Sequence, residues 1–174
     1  MERRLLFVLG FTAAVLVGFL LVAALPTMTG RDAVLRMVPV DPTDLFAGEY
    51  MNIAYEISTL GASLPNDGPL RAGETVYVAL SEGGVAEPVG YGHRKPAGFF
   101  IKGTVEDADR HGRSRVTYGI ERFYVPERSG RDVRIDRSWT ARVKIDAHGN
   151  ARVVALLKDG TEVTFSYSPA AGRR

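Results

Sequence analysis

The sequence predicts a mainly β protein, an N-terminal transmembrane helix followed by an antiparallel β-domain that ends in a three-stranded meander. Three observations carry that prediction. Leu5 to Leu25 holds neither charge nor proline. From Trp139 to Tyr167, apolar and polar residues alternate in three runs separated by turn residues. Between these two regions, short alternating runs are broken repeatedly by Gly, Pro, Asn and Asp, and no amphipathic helix repeat appears.

The apolar run divides the chain into a stub at 1–4, a span at 5–25, a linker at 26–33, a β-domain at 34–168 and a tail at 169–174. At about 1.5 Å per residue the run is about 31 Å long as a helix, the thickness of a bilayer core. The lipid bilayer is therefore an expected partner through residues 5–25. Arg3 and Arg4 precede the run and the next bases, Arg31 and Arg36, come well after it. By the positive-inside rule the N-terminus lies in the cytoplasm and the domain outside. A cleaved signal peptide ending near Val22 and Ala24 is the alternative, although the run is longer than the usual apolar core of about 7–15 residues.

Composition narrows the function classes. The 22 basic and 20 acidic residues nearly balance, and nucleic-acid binding is not expected from such a chain. With no cysteine there is no disulfide, thiolate nucleophile or cysteine metal site. A body of roughly 140 residues buries enough surface to fold without such staples.

In chain order, Val34 to Val40 reads as a strand entering a turn. Asp41, Pro42 and Asp44 form a helix-start pattern, with Asp41 at the N-cap, Pro42 at the first helical position and Asp44 at the third. Gly48 supplies a left-handed stop. Glu49 to Ile57 then alternates, with Met51, Ile53, Tyr55 and Ile57 on one face and Tyr50, Asn52, Ala54 and Glu56 on the other, as in a half-buried strand. Residues 60–74 and 83–96 are rich in Gly and Pro and read as loops. The first of these loops is equally a place where a partner can lie. Strands are expected over Thr75 to Leu80, Phe99 to Val105 and Arg115 to Val125, with a charged turn at Asp107 to Arg113. In the meander, Trp139, Ala141, Val143 and Ile145 share a face, as do Ala151, Val153, Ala155 and Leu157, then Val163, Phe165 and Tyr167. Asp146 to Asn150 is the first turn. Asp159-Gly160, which tolerates positive φ at both positions, is the second.

The run Gly48-Glu49-Tyr50-Met51-Asn52-Ile53-Ala54-Tyr55 resembles the motif that names the GDYXXLXY family of bacterial membrane-anchored proteins. Glutamate stands here for the motif aspartate and isoleucine for the leucine. Asp41-Pro42-Thr43-Asp44 resembles the turn that precedes the motif, with threonine where arginine is common. Tyr118 to Glu127 also resembles the family, so the likeness spans most of the chain. It implies a location in the bacterial inner membrane, with Asp41, Pro42, Asp44, Gly48, Glu49, Tyr50 and Tyr55 as motif and turn residues. It also implies a multi-pass membrane protein as companion. It implies no activity.

Little in the chain points to chemistry. His93, His111 and His148 show no metal-ligand spacing, and Asp41, Asp44 and Glu49 lack the aspartate-rich loop of calcium sites. No cofactor and no metal is expected. Pro42 to Glu49 faintly resembles a segment of the signal peptidases, which pair serine with lysine. The serine would fall at Pro39, which cannot be a nucleophile, and Lys102 is the one lysine set in an apolar strand. A hydrolase with its site around residues 39–55 is thus the enzymatic alternative, and a small-ligand or polysaccharide-binding module is another. Glu121 and Glu127 read as solvated strand carboxylates. Arg110 to Arg142 holds nine arginines against four acids. Within it Arg122, Arg128, Arg131 and Arg134 form a candidate surface for an acidic partner or anionic lipid. The leading expectation is a membrane-anchored, non-enzymatic interaction or accessory protein.

Overall fold

The computed structural model describes residues 9–19, 30–39, 46–47, 50–109, 112–125 and 135–165. The strands among them are β1 (Arg31–Val38), β2 (Phe46–Ala47), β3 (Tyr50–Asn52), β4 (Ala54–Tyr55), β5 (Thr59–Leu60), β6 (Thr75–Leu80), β7 (Pro88–Gly92), β8 (Phe100–Ala108), β9 (Ser114–Thr117), β10 (Arg122–Tyr124), β11 (Trp139–Ile145), β12 (Ala151–Lys158) and β13 (Thr161–Glu162). They form a five-stranded sheet of order β13-β12-β11-β1-β4, a three-stranded sheet β10-β3-β2 and a five-stranded sheet β5-β9-β8-β6-β7. Every ladder is antiparallel. The protein is mainly β, as expected.

One contiguous core joins the sheets. It holds Leu35 and Met37 of β1, Val76 and Val78 of β6, Ile101 and Val105 of β8, and Ala141, Val143 and Ile145 of β11. The β1 strand starts at Arg31, which shortens the expected linker of 26–33. Arg31, Asp32 and Ala33 pair with Ile145, Lys144 and Val143. The β-poor pair Asp32-Ala33 gives no local signal for this extension, which is imposed by the neighbouring strand.

The meander is present as β11, β12 and β13, but its third strand is only Thr161–Glu162: Val163 and Phe165 follow it outside any strand, and Tyr167 lies outside the described residues. Its second turn has Asp159 at φ 51° and Gly160 at φ 78°, the two positive values a tight hairpin demands. The strict alternation expected of β12 does not persist. A bulge pairs Arg142 with Ala155 but Val143 with Val153, which leaves Val154 outside the ladder and 44% exposed. An extra residue on one strand inverts the facing of the residues beyond it, so Leu156, opposite Ala141, enters the core.

Three further expectations are corrected. Glu49 to Ile57 is not one strand: β3 and β4 join different sheets, and Glu56–Ser58 is a 3-10 turn. The predicted faces survive the break, with Met51, Ile53, Tyr55 and Ile57 all buried. Arg115 to Val125 is likewise split into β9 and β10, and Gly119 between them takes φ 77°. The loop expected over 83–96 contains β7. That strand lies at a sheet edge with Pro88 first, where a missing N–H is tolerated.

The described part of the expected span is an α-helix over 9–19, and the rest of 5–25 lies outside the described residues. No helix among the described residues is long and apolar enough to cross a membrane. In helix 9–19, Leu9, Phe11, Val15, Leu16, Val17 and Phe19 are all exposed.

Candidate functional site

The two motif-bearing stretches, 50–57 and 118–124, meet across the chain. The Ile53 N–H donates to the Glu121 carbonyl at 2.7 Å. The Tyr55 hydroxyl donates to the Ile120 carbonyl at 2.8 Å, and the Tyr118 hydroxyl donates to the Ile57 carbonyl at 2.6 Å. Each tyrosine thus pins the backbone of the other's segment. Burial, reinforced by the Glu121 carboxylate, pushes both phenols far above the ordinary tyrosine range, so both stay neutral donors. Glu121 is not a freely solvated strand carboxylate. Its Oε1 accepts the Tyr118 N–H, closing the turn around Gly119.

On the other face of the same junction the side chains are open. In the β3–β10 ladder Tyr50 opposes Tyr124, and Asn52 opposes Arg122. Strand positions two apart share a face, so these four lie together. Tyr50 is 48% and Tyr124 54% exposed, and their rings meet edge to face at 5.9 Å. Arg122 is exposed beside them. The opposite face of β10 turns inward, where Phe123 packs on Phe165 at 6.0 Å. Of the motif residues singled out by sequence, Tyr55 is therefore a buried lock and Tyr50 a surface group. Asp41, Pro42, Asp44, Gly48 and Glu49 lie outside the described residues, as do Arg128, Arg131, Arg134 and Glu127.

A second polar cluster joins residues far apart in sequence. His93 Nδ1 lies 3.0 Å from Asp67 and Nε2 lies 3.2 Å from Glu74, while the His93 N–H donates to both Asp67 oxygens. The Tyr91 N–H also donates to the Pro65 carbonyl, so the 61–74 segment lies along β7. This close approach explains Gly90 and Gly92. A Cβ at Gly92 would sit 2.6 Å from the Asp67 carboxylate, and one at Gly90 would sit 3.1 Å from the Pro65 oxygen. The two carboxylates occupy opposite edges of the imidazole, so they cannot share a metal with it. Among the described residues no group of three or more His, Asp or Glu side chains is placed to hold a metal ion. Spacing along the chain did not reveal this cluster, because its partners come from two separate loops.

The cluster sets a pH dependence. Hydrogen bonds donated to Asp67 and then to Glu74 raise the His93 pKa on folding. Backbone and side-chain hydrogen bonds from His93 lower that of Asp67, and the His93 side chain with the Arg71 N–H lowers that of Glu74. The histidine contribution is full below the unfolded value of about 6.5 and fades as pH rises through the higher folded value. The carboxylate contributions are full above about pH 4 and fade as pH falls through the lower folded values. The 61–74 segment should therefore be held best between about pH 4.5 and 6.5. The check is amide-exchange protection at Tyr91, which should fall as pH rises above about 6.5 in the wild type. In His93→Phe it should be low and flat, and a wild-type profile without this fall would refute the clamp.

Lys102, the candidate base, is half-exposed on β8, and its N–H donates to the Gly149 carbonyl. Pro39 is exposed at the end of β1. The remainder of the 39–55 region that described residues cover offers the Tyr50 face and the Tyr55 lock rather than converging acid and base groups.

A family model described as GDYXXLXY protein matches residues 12–156. Neither a curated protein nor a solved structure matches the chain.

Proposed function

This chain belongs to the GDYXXLXY family, and on that premise we propose that it is a single-pass, membrane-anchored interaction or accessory module without catalytic activity. Its N-terminus lies in the cytoplasm and its β-domain outside the bacterial inner membrane. The apolar side chains of helix 9–19, open on all sides, support the anchor. A helix that is apolar all round belongs in a core or a bilayer, and no part of the described β-domain covers this one. The expected topology is tested by alkaline phosphatase and green fluorescent protein fused separately after Arg174. Phosphatase activity without fluorescence is expected, and the reverse pattern would reject it.

The observation that carries the interaction role is the open Tyr50–Tyr124–Arg122 face. Tyrosine and arginine are the residues enriched where binding energy concentrates. Two residues of the face, Arg122 and Tyr124, belong to the arginine-rich stretch, nine arginines against four acids over 110–142. The occupant that complements it is an acidic extracytoplasmic loop of a multi-pass membrane protein. A photo-crosslinking amino acid at position 124, activated in intact membranes, should trap such a partner. The adduct should fall roughly tenfold with Arg122→Glu while the melting temperature stays within about 2 °C. An adduct of unchanged yield would exclude this face.

A further inference from the structure

We propose that the cleft beside the start of β1 binds the phosphate of an anionic lipid headgroup, an inference that rests on the anchored arrangement above. The cleft is about 480 Å³, and its walls include Arg31, Lys95, Phe99, Phe100, Ile145 and Ala147. The cations are held in place by what lies beneath them. The Arg31 guanidinium sits 4.6 Å above the Phe99 ring. The Lys95 ammonium sits 5.3 Å from the Phe100 ring centre and donates to the Ala147 carbonyl at 2.9 Å. Both retain donors. Glu82 contacts one terminal nitrogen of Arg31 at 3.0 Å, out of the five N–H groups a guanidinium offers. Ala147 takes one of the three ammonium donors of Lys95.

The one carboxylate on the lining is turned away. Asp146 accepts from the His148 and Asn150 N–H groups and from the Asn150 side-chain amide, all within its own turn. Two cations over an apolar floor therefore face the opening, Lys95 without a carboxylate partner among the described residues and Arg31 with donors left beyond its Glu82 contact. That pairing suits a phosphate whose glycerol end continues into apolar surroundings, better than it suits a fully hydrated anion.

Placement supports the lipid source. Arg31 is the first residue of β1, and the eleven residues 20–30 that separate it from helix 9–19 reach at most about 40 Å. The anchor therefore tethers this end of β1 nearest the headgroup layer. Lys95, with its exposed neighbours Ala97 and Gly98, lies at the same mouth. The Tyr50–Tyr124 face belongs to the other end, because β4 pairs with Met37 and Val38, about 20 Å along β1. Lipid contact and partner contact would then use opposite ends of one domain.

The test uses the full chain purified in mild detergent and analysed by native mass spectrometry. Phosphatidylglycerol should be retained in preference to phosphatidylcholine. Arg31→Gln with Lys95→Gln should weaken retention about thirtyfold, taking each base near an anionic surface at its usual worth. Arg115→Gln with Arg152→Gln, the same charge loss elsewhere, should leave retention unchanged, and both pairs should melt with the wild type. Equal retention by the Arg31/Lys95 variant, or equal retention of both lipids, overturns the proposal. Inorganic phosphate that raises the melting temperature through Arg31 and Lys95, with no phosphatidylglycerol retained, would assign the cleft to a soluble phosphate and overturn the lipid source. An inactive C-terminal phosphatase fusion overturns the anchor and the lipid site together. An active fusion with retention indifferent to Arg31 and Lys95 overturns the site alone.

Discussion

Ile145→Ala should cost about 2–5 kcal/mol of stability, whereas Lys144→Ala should stay within about 0.5 kcal/mol. The two residues are adjacent on β11 and differ only in the face they occupy. Ile145 is 2% exposed and lies in the shared core, opposite Arg31 in the β1 ladder and Ala151 in the β12 ladder. Shortening it removes apolar contact and leaves a cavity that a central strand, paired on both sides, cannot close by moving. Lys144 projects outward, and its contact with Asp32 at 4.0 Å is a surface pair worth little. Urea melts of the two variants decide the matter, and equal losses would show that the register is wrong.

Tyr118→Phe should cost about 1–3 kcal/mol. The substitution keeps the ring and removes only the hydroxyl, so the loss reports the bond to the Ile57 carbonyl and not packing. That bond is buried and joins residues 61 positions apart, which makes an uncompensated acceptor expensive. Tyr55→Phe removes the reciprocal bond to the Ile120 carbonyl and should cost a similar amount. The two bonds close the same junction, so their effects should be non-additive. A double-mutant cycle should return a coupling of about 0.5–3 kcal/mol. A Tyr118→Phe variant within about 0.5 kcal/mol of wild type would mean that the motif tyrosines only fill space.

The candidate site was legible in unequal parts. Tyr50, Tyr55 and Arg122 were visible in the sequence because they lie within motif runs or a charge-biased stretch. Their division of labour was not visible. Alternation places Tyr50 and Tyr55 on opposite faces, but only the pairing of β3 with β10 sets Tyr124 beside Tyr50 and leaves that pair open. His93, Asp67 and Glu74 carry no spacing signal. They are 26 and 19 positions apart, and the edge strand β7, built on glycines that weaken any strand signal, brings them together.

By itself the sequence determined what depends on neighbours along the chain. The mainly β character, the buried faces of 51–57 and 139–145, the Asp159-Gly160 turn and the family all follow from alternation, turn chemistry and motif order. Tertiary structure decided whatever depends on which backbone lies alongside. It cut 50–57 between two sheets at Ile53, whose N–H is taken by the Glu121 carbonyl. It extended β1 back through Asp32, and it brought Leu156 into the core through the bulge at Val154. Side-chain facing is a local property of period two, but a backbone hydrogen bond needs a partner, and the partner is chosen by the whole fold.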